Sequence, residues 1–500
     1  MPSVPARGLA RLPVHRALPT IISSIRVSSP SCVGFTEKNL FTAPLQRRSI
    51  HNSERMAISS SDRRTSTVAE LPTVDPTTQP PSSEPKSAPL SVLPLSMIVR
   101  SLLTTVVSSS PILLPPSLRI MSLLANTHNP ILNPDKNPLL RFFLKKTFYA
   151  QFCAGESPVE VQATIARLKN IGFSGVILGY AKEVVLTQDQ AKSVAAEDQG
   201  KETDADIANE IEPWAHGTLE TVALAEPGDY VALKFTGAGR LALYQLSQNH
   251  GPSPYLYKSI DAICALAQQR GVRLLFDAEQ DALQDGIDSW TMTFARKYNT
   301  SPETATVYGT YQAYKKKTPA VISRHLADAQ EGGFSLGVKL VRGAYLGSDP
   351  RQCFWETQQG TDACYNSIAA GVLTRQWGPM VEGKGEFPNA HIVLATHNVE
   401  SVRRARAICG AGGAKSGIAF AQLQGMADEV SCELVEADSA NKGTELPVFK
   451  YLVWGTTGEC MKYLLRRANE NKDAVGRTRS GRDAMWAELV RRCKTAVGFV

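Results

Sequence analysis

Toward the carboxyl end of the chain, Tyr463, Arg466, Arg467 and Glu470 are spaced i, i+3, i+4 and i+7, which puts them on one stripe of a helix. Two adjacent guanidinium forks can grip one carboxylate or phosphate with bidentate geometry. The neighbouring stripe, Met461, Leu464, Leu465 and Ala468, is apolar and is expected to pack on the barrel that the chain upstream forms, with the charged stripe along its border. An isolated Arg-Arg pair on a helix is ordinarily a solvated face. The residues upstream change that reading. Lys234, Asp277, Glu279, Gln312, Lys339, Arg342, His397, Asn398 and Gln422 each stand at or near the end of a short apolar run. Singly, such residues are more often solvated strand ends or satisfied buried groups. Jointly they outline a polar mouth.

The elements that must hold them are legible from Gly175 onward, where eight apolar or β-branched runs alternate with helical stretches: GVILGY, YVALKF, VRLLFDAE, TATVYGTYQAY, LGVKLVRGAY, HIVLATHN, GIAFAQL and PVFKYLVW. That alternation predicts an α/β fold with a parallel sheet. Eight units predict a closed (β/α)8 TIM-like barrel with its reactive groups at the carboxyl ends of the strands. The Tyr463 helix directly follows the eighth run, so its amino end is expected at that rim. Between the first two runs, seven acids from Glu197 to Glu212 predict a solvated surface loop. No GxGxxG follows a strand and no GxxxxGK[ST] occurs, so neither a Rossmann dinucleotide site nor a P-loop is supported; Gly410, Gly412 and Gly413 read as a turn. Nine cysteines without a CxxC, and eight histidines without HxxxH or HExxH, support neither a disulfide framework nor a metal site.

Charge divides the chain. Through Ser53 there are seven bases (Arg7, Arg11, Arg16, Arg26, Lys38, Arg47, Arg48) against Glu37 alone. This predicts a mitochondrial transit peptide over residues 1–53, ending in the Arg-x-hydrophobic-x-x-Ser pattern of Arg48-Ser49-Ile50-His51-Asn52-Ser53. Removing those residues from the 54 bases and 47 acids of the whole leaves 47 and 46, a nearly neutral body with no case for a nucleic-acid surface. Residues 54–94, rich in Ser, Thr and Pro, predict a disordered linker. Residues 95–170 predict a helical arm. Its apolar part, Met97 to Leu124, is interrupted by Arg100, Ser108–Ser110 and prolines, too often for a membrane span of about 20 residues. It suits a helix packed on the barrel or lying on a membrane surface.

TFYAQFCAGE, LLFDAEQ, TYQAY, KLVRGAY, ATHN, FAQLQGM and YLLRRANEN, in that order between about Phe142 and Arg492, resemble the proline dehydrogenase family. These are mitochondrial flavoenzymes that oxidise L-proline to Δ1-pyrroline-5-carboxylate, the first step of its catabolism to glutamate. The resemblance implies that residues 171–500 form a distorted (β/α)8 barrel, with FAD at the strand ends and the final helix over the mouth. It implies that Lys339 lies by the reactive N5 edge of the flavin and Gln312 against the isoalloxazine. Val341, Arg342, Gly343, Thr396, His397, Asn398 and Gln422 are then expected to line the rest of the cofactor, and Glu470 its ribityl side. Arg466 and Arg467 are expected to hold the proline carboxylate, with Lys234, Asp277, Tyr345, Leu423, Tyr451 and Tyr463 around the ring. That arrangement fixes C5 for hydride transfer to N5. The resemblance further implies ubiquinone as electron acceptor and peripheral contact with the matrix side of the inner mitochondrial membrane. Hydroxyproline dehydrogenases share nearly all these motifs; Tyr451, crowding ring C4, favours plain proline. A barrel that binds without turnover is disfavoured by retention of the whole set, and a Schiff-base lyase by the charged partners of Lys234 and Lys339.

Overall fold

The computed structural model describes residues 88–127, 129–181, 201–440, 446–471 and 475–498. The expected transit peptide, the linker as far as residue 87, and residues 182–200 lie outside the described residues. The chain enters through an arm of three helices, α1 (Leu95–Ser109), α2 (Leu114–Asn126) and α3 (Pro138–Leu144). The barrel strands are β1 (Gly175–Tyr180), β2 (Tyr230–Leu233), β3 (Arg273–Phe276), β4 (Val307–Gln312), β5 (Leu336–Val341), β6 (Ala390–Ala395), β7 (Gly417–Leu423) and β8 (Val448–Trp454). Each lies parallel to the next and β8 closes on β1, so every one of the eight expected runs supplies a strand.

Both faces of these strands are buried, which is why they read as near-continuous apolar runs. One row of side chains, including Val176, Leu178, Val231, Leu274, Val338 and Phe420, packs outward against the helices. The alternate row, Ile177, Tyr230, Leu275, Tyr308, Val393 and Phe449, fills the lumen. Tyr230 meets Phe449 and Tyr308 edge-on at 4.9 and 5.7 Å. Arg273 Nη1 donates to Tyr230 Oη at 2.8 Å with its guanidinium over the ring, so the amino end of the lumen is plugged. The carboxyl end is the mouth.

The outer ring comprises α4 (Pro158–Ile171), α5 (Glu212–Leu224), α6 (Arg240–Ser247), α7 (Pro254–Arg270), α8 (Asp281–Tyr298), α9 (Thr318–Gly332), α10 (Gln358–Thr374), α11 (Val399–Gly410) and α12 (Asp428–Ala440). In α8 the buried positions Leu283, Ile287, Trp290 and Phe294 recur at helical spacing. Trp290 packs edge-on against Phe235 and Phe294 against Phe276. Truncating either side chain to alanine costs about 3–5 kcal/mol at such sites. Two further helices, α13 (Thr457–Asn471) and α14 (Val475–Ala496), end the chain.

Three expectations are corrected. The linker does not extend to Pro94: Pro89–Val92 forms a 3-10 turn, and Leu90 and Leu93 are buried with Cys432 and Met485. The acidic insert is not a solvated loop where it is described. Glu202 accepts from Ser253 Oγ at 2.6 Å and from the N–H groups of Tyr255 and Leu256 at the amino end of α7. Asp206 closes a capping box with Thr203, and Glu210 accepts from Arg240. These carboxylates sit where helix N–H groups lack backbone partners, so they terminate helices and join them. Lastly, the apolar stripe of α13 does not pack on the barrel as a unit. Met461 and Leu465 pack against the arm, with Ala125 and Leu144, while Leu464 joins Tyr463 and Cys460 against Val453 and Tyr149.

Candidate functional site

Side chains alternate along each strand, so the residues that close the lumen at its carboxyl end follow from the register. Tyr308 and Ile177 point inward, and so therefore do Thr310, Gln312 and Gly179. The same parity brings Lys234, Asp277, Lys339, Leu423 and Tyr451 to the mouth. Five strands thus bring together Lys234, Asp277 and Lys339, which the sequence placed at or near separate strand ends, and Leu423 and Tyr451, which the resemblance implied.

Their charges are arranged around Asp277. Lys234 Nζ lies 2.8 Å from Asp277 Oδ2 and Lys339 Nζ 2.5 Å from Oδ1. Burial by itself would raise the Asp277 carboxyl, but the two ammonium groups outweigh it and hold it well below the usual carboxylate range. Burial lowers the Lys339 ammonium below its ordinary value; Asp277 opposes this, while Lys234 and Arg467 add to it. Tyr463 and Leu464 of α13 pack with Val453 and Tyr451 of β8, which sets α13 beside the mouth. The Lys339 ammonium stands 5.6 Å from the centre of the Tyr451 ring, and the guanidinium groups of Arg466 and Arg467 stand 6.0 and 5.3 Å from that of Tyr463. Tyr463 is buried and Tyr451 half-buried. The result is an aromatic-walled mouth where one carboxylate serves two lysines and two arginines stand beside them, a field that favours an anion.

The arm holds α13 in this position. Glu156 Oε1 accepts from both the backbone N–H (2.8 Å) and the hydroxyl (2.6 Å) of Thr457, and Asp135 accepts from the N–H of Gly458 at 2.8 Å. Tyr149 Oη donates to the Gly455 carbonyl at 2.9 Å. Two carboxylates at the first turn satisfy its N–H groups and complement the helix dipole. Lys145 bridges Glu156 and Glu160 at 2.7 and 2.6 Å behind them. Nothing local in TFYAQFCAGE marks Tyr149 or Glu156 for this task, because their partners lie some three hundred residues away.

The loop after β5 carries Tyr345. Gly343 has φ +135°, and a Cβ there would overlap the Tyr314 ring. That ring's hydroxyl in turn accepts from the Tyr345 N–H at 3.1 Å. Lys315, buried between Asp281 and Asp349 at 2.9 Å each, pins the far end of the loop. Tyr345 is half-buried at the rim.

Other expected residues are largely committed to the protein itself. Arg342 donates to Asp362, Thr396 Oγ1 and Ser401 Oγ, with its guanidinium 4.4 Å from the Tyr365 ring centre. Thr396 Oγ1 also accepts from the Asn398 N–H, and Asn398 Oδ1 caps α11 at the Ser401 N–H. Gln422 lies on the outward parity of β7, its amide spent on the Thr396 carbonyl and Ser431 Oγ. His397 Nε2 accepts from the Leu423 N–H at 3.1 Å, so the neutral ring carries its proton on Nδ1. Val341 ends β5 and its carbonyl accepts from the Ala313 N–H. The side chain of Glu470 lies outside the described residues, although its backbone continues α13.

Three buried polar atoms among the described residues lack a hydrogen-bond partner on or just beyond β4 and β7: Thr310 Oγ1, Gln312 Oε1 and Gln424 Oε1. Gln312 Nε2 donates to the Glu279 carbonyl at 3.0 Å, which fixes its amide and leaves Oε1 as an acceptor at the mouth. Buried orphan acceptors are costly unless something donates to them. The imide N–H and ribityl hydroxyls of a flavin are donors of that kind, so these residues fit FAD. Thr310 and Gln424 were not foreseen. The inward parity of Thr310 was readable, whereas Gln424 lies just past β7 on the parity of Gln422; for neither was it readable that the folded chain leaves the oxygen unmatched.

Residues 161–480 match the family model for proline dehydrogenase. Over 409 residues the chain is 30% identical to "Probable proline dehydrogenase, mitochondrial" of Schizosaccharomyces pombe, covering 71% of this chain and 80% of that one. Over 251 residues it is 32% identical to "Proline dehydrogenase 1, mitochondrial" of Homo sapiens, covering 48% and 39% of the two chains. It is 26% identical to "Hydroxyproline dehydrogenase" of Rattus norvegicus over 408 residues, 70% of this chain and 82% of the other. Among solved structures, proline utilization A of Bdellovibrio bacteriovorus superimposes with a TM-score of 0.55 at 16% identity, over 75% of this chain but 38% of that one, a likeness of fold. With well over half its residues matched, the chain belongs to the proline dehydrogenase family.

Proposed function

We propose that this protein oxidises L-proline to Δ1-pyrroline-5-carboxylate with FAD as cofactor, on the matrix side of the inner mitochondrial membrane, and that its electrons pass to ubiquinone. The observation that carries this reading is the mouth itself: Asp277 shared by Lys234 and Lys339, beside Arg466, Arg467 and the rings of Tyr451 and Tyr463. A small anion with an apolar ring suits those walls. Membership of the family and its mitochondrial relatives support the same substrate and compartment.

Gln312, Lys339, Val341, Arg342, Gly343, Thr396 and His397 would hold FAD, with Asn398, Gln422 and Glu470 completing its surroundings. FAD, when bound, supplies the hydride acceptor. The chain's own residues do the rest. Arg466 and Arg467 anchor the substrate carboxylate, and Tyr345, Leu423, Tyr451 and Tyr463 enclose the ring and exclude water. Lys234, Lys339 and the arginines disfavour a protonated amine among them, leaving the nitrogen lone pair to assist loss of hydride from C5. The arm supports the membrane reading: α1, α2 and α3 each leave an apolar stripe exposed. The test is the absorption spectrum of the purified protein, recorded anaerobically. A yellow preparation bleached by L-proline and little affected by 4-hydroxyproline is the expected result. Bleaching by 4-hydroxyproline instead would shift the substrate assignment to the hydroxylated ring. A preparation that stays colourless with added FAD would overturn the cofactor assignment.

A further inference from the structure

Gly179 stands in the last interior layer of β1, paired on one side with Ala232 of β2 and on the other with Val453 of β8. It is not among the residues of positive φ, so backbone conformation does not explain a glycine there. Glycine inside a strand weakens it and marks a place where another group comes close. The group is Tyr451. A Cβ built on Gly179 would lie 2.9 Å from Tyr451 Oη and 3.4 Å from its Cζ. Tyr451 is the register partner of Ile177, one interior layer below, so its ring leans toward the mouth and takes the space above the bare Gly179 backbone. The other side of that ring faces the charged cluster through Lys339, 5.6 Å from the ring centre.

We propose that Gly179 is a positioning residue for substrate discrimination: by leaving the phenol room at the barrel wall, it sets how far Tyr451 intrudes on the space for the substrate ring. This rests on the reading that Tyr451 lines that ring. A methyl group at position 179 pushes a rigid phenol off the wall toward Lys339 and narrows the pocket at that point. Proline, and more strongly 4-hydroxyproline, then fit worse.

The experiment compares Gly179→Ala, Tyr451→Phe and the double variant in the flavin-loaded full chain, measuring kcat and KM for both substrates together with thermal unfolding. Gly179→Ala is expected to raise KM for proline about tenfold with kcat within about threefold, the size of one methylene in a pocket. Phenylalanine lacks the oxygen that the methyl would strike. The double variant is therefore expected to show a KM within about threefold of Tyr451→Phe alone, a rescue that general destabilisation does not produce. Effects that simply multiply would overturn the proposal, as would a Gly179→Ala protein identical to wild type while Tyr451→Phe alters discrimination. If Tyr451→Phe leaves both substrates unchanged, the pocket reading fails and the proposal with it. Should Gly179→Ala alone not fold, a folded double variant with Tyr451→Phe kinetics supports the proposal, and an unfolded one overturns it.

Discussion

Asp277 keeps only 9% of its side chain exposed while its two oxygens each hold a lysine. Replacing it by asparagine leaves two ammonium groups with no carboxylate between them, the kind of loss that costs about 3–5 kcal/mol. Asp277→Asn is therefore expected to lower kcat/KM for proline at least about 100-fold and to lower the unfolding temperature at neutral pH. The pH dependence has a definite sign. The folded carboxyl is held below its ordinary value, so its stabilisation is present above the unfolded pKa of about 3.9 and is lost as pH falls below it. The gap in unfolding temperature between wild type and Asp277→Asn should shrink from pH 6 to pH 3; a constant gap would contradict the ion-pair account. Asp277, Lys234 and Lys339 were legible as candidates because strand parity is local. Their mutual pairing was not, since it depends on β2, β3 and β5 closing into one ring. Arg342, Asn398 and Gln422 were legible by type, yet the structure spends their side chains largely on Asp362, on the cap of α11 and on Ser431.

Elements inherit their placement from contacts that no local pattern reveals. The eight strands were readable because each is buried on both faces. The amino end of α13 was predictable from its direct succession to β8, but not the means of fixing it, which comes from Glu156 and Asp135 in the arm. Lys145 and the Thr457 hydrogen bonds overcome the burial of Glu156 and keep its carboxyl below the ordinary range, so it is charged at neutral pH and complements the helix dipole. Glu156→Gln keeps the shape and removes the charge. A lost cap of this kind costs about 1 kcal/mol, and here it loosens the helix that carries Arg466 and Arg467. KM for proline should rise about three- to tenfold with kcat changed less than threefold, measured by steady-state kinetics. An unchanged KM would mean that the arm does not set the anion clamp. The acidic insert and the α13 stripe were misread for one reason: composition gives polarity, while the partner that uses it lies elsewhere in the chain.

Across the whole molecule, exposed apolar side chains are concentrated in one place. Of the sixteen large hydrophobic residues exposed among the described residues, twelve lie between Leu95 and Phe143. On α1 they form the row Leu95, Val99, Leu103 and Val106, opposite Met97 and Ile98, which are buried with Met485 of α14. Ile120 and Leu123 on α2, and Leu139, Phe142 and Phe143 on α3, continue the pattern. Among the described residues no single helix is long and apolar enough to cross a membrane, and α1 and α2 meet at a bend of 107°. Such stripes suit a surface that lies on lipid. Charge points the same way, since from Leu95 to Thr147 there are six bases against Asp135 alone, and Arg119, Lys136 and Lys146 are exposed. Each exposed base near an anionic membrane contributes about 1 kcal/mol. The protein is therefore expected to sediment with vesicles containing about one-fifth anionic phospholipid, more weakly with neutral ones, and to be released by 0.5 M salt as screening shortens to a few ångströms. Leu103→Glu combined with Phe142→Glu should cut this partitioning at least about tenfold while leaving proline oxidation by a water-soluble acceptor intact. Equal binding to neutral vesicles, unmoved by the double substitution, would remove the arm from the membrane contact. The opposite faces of these helices hold α13 and α14, so lipid bound at the arm would lie one helix away from the arginine pair at the mouth. That is where a lipid-dissolved electron acceptor would need to arrive.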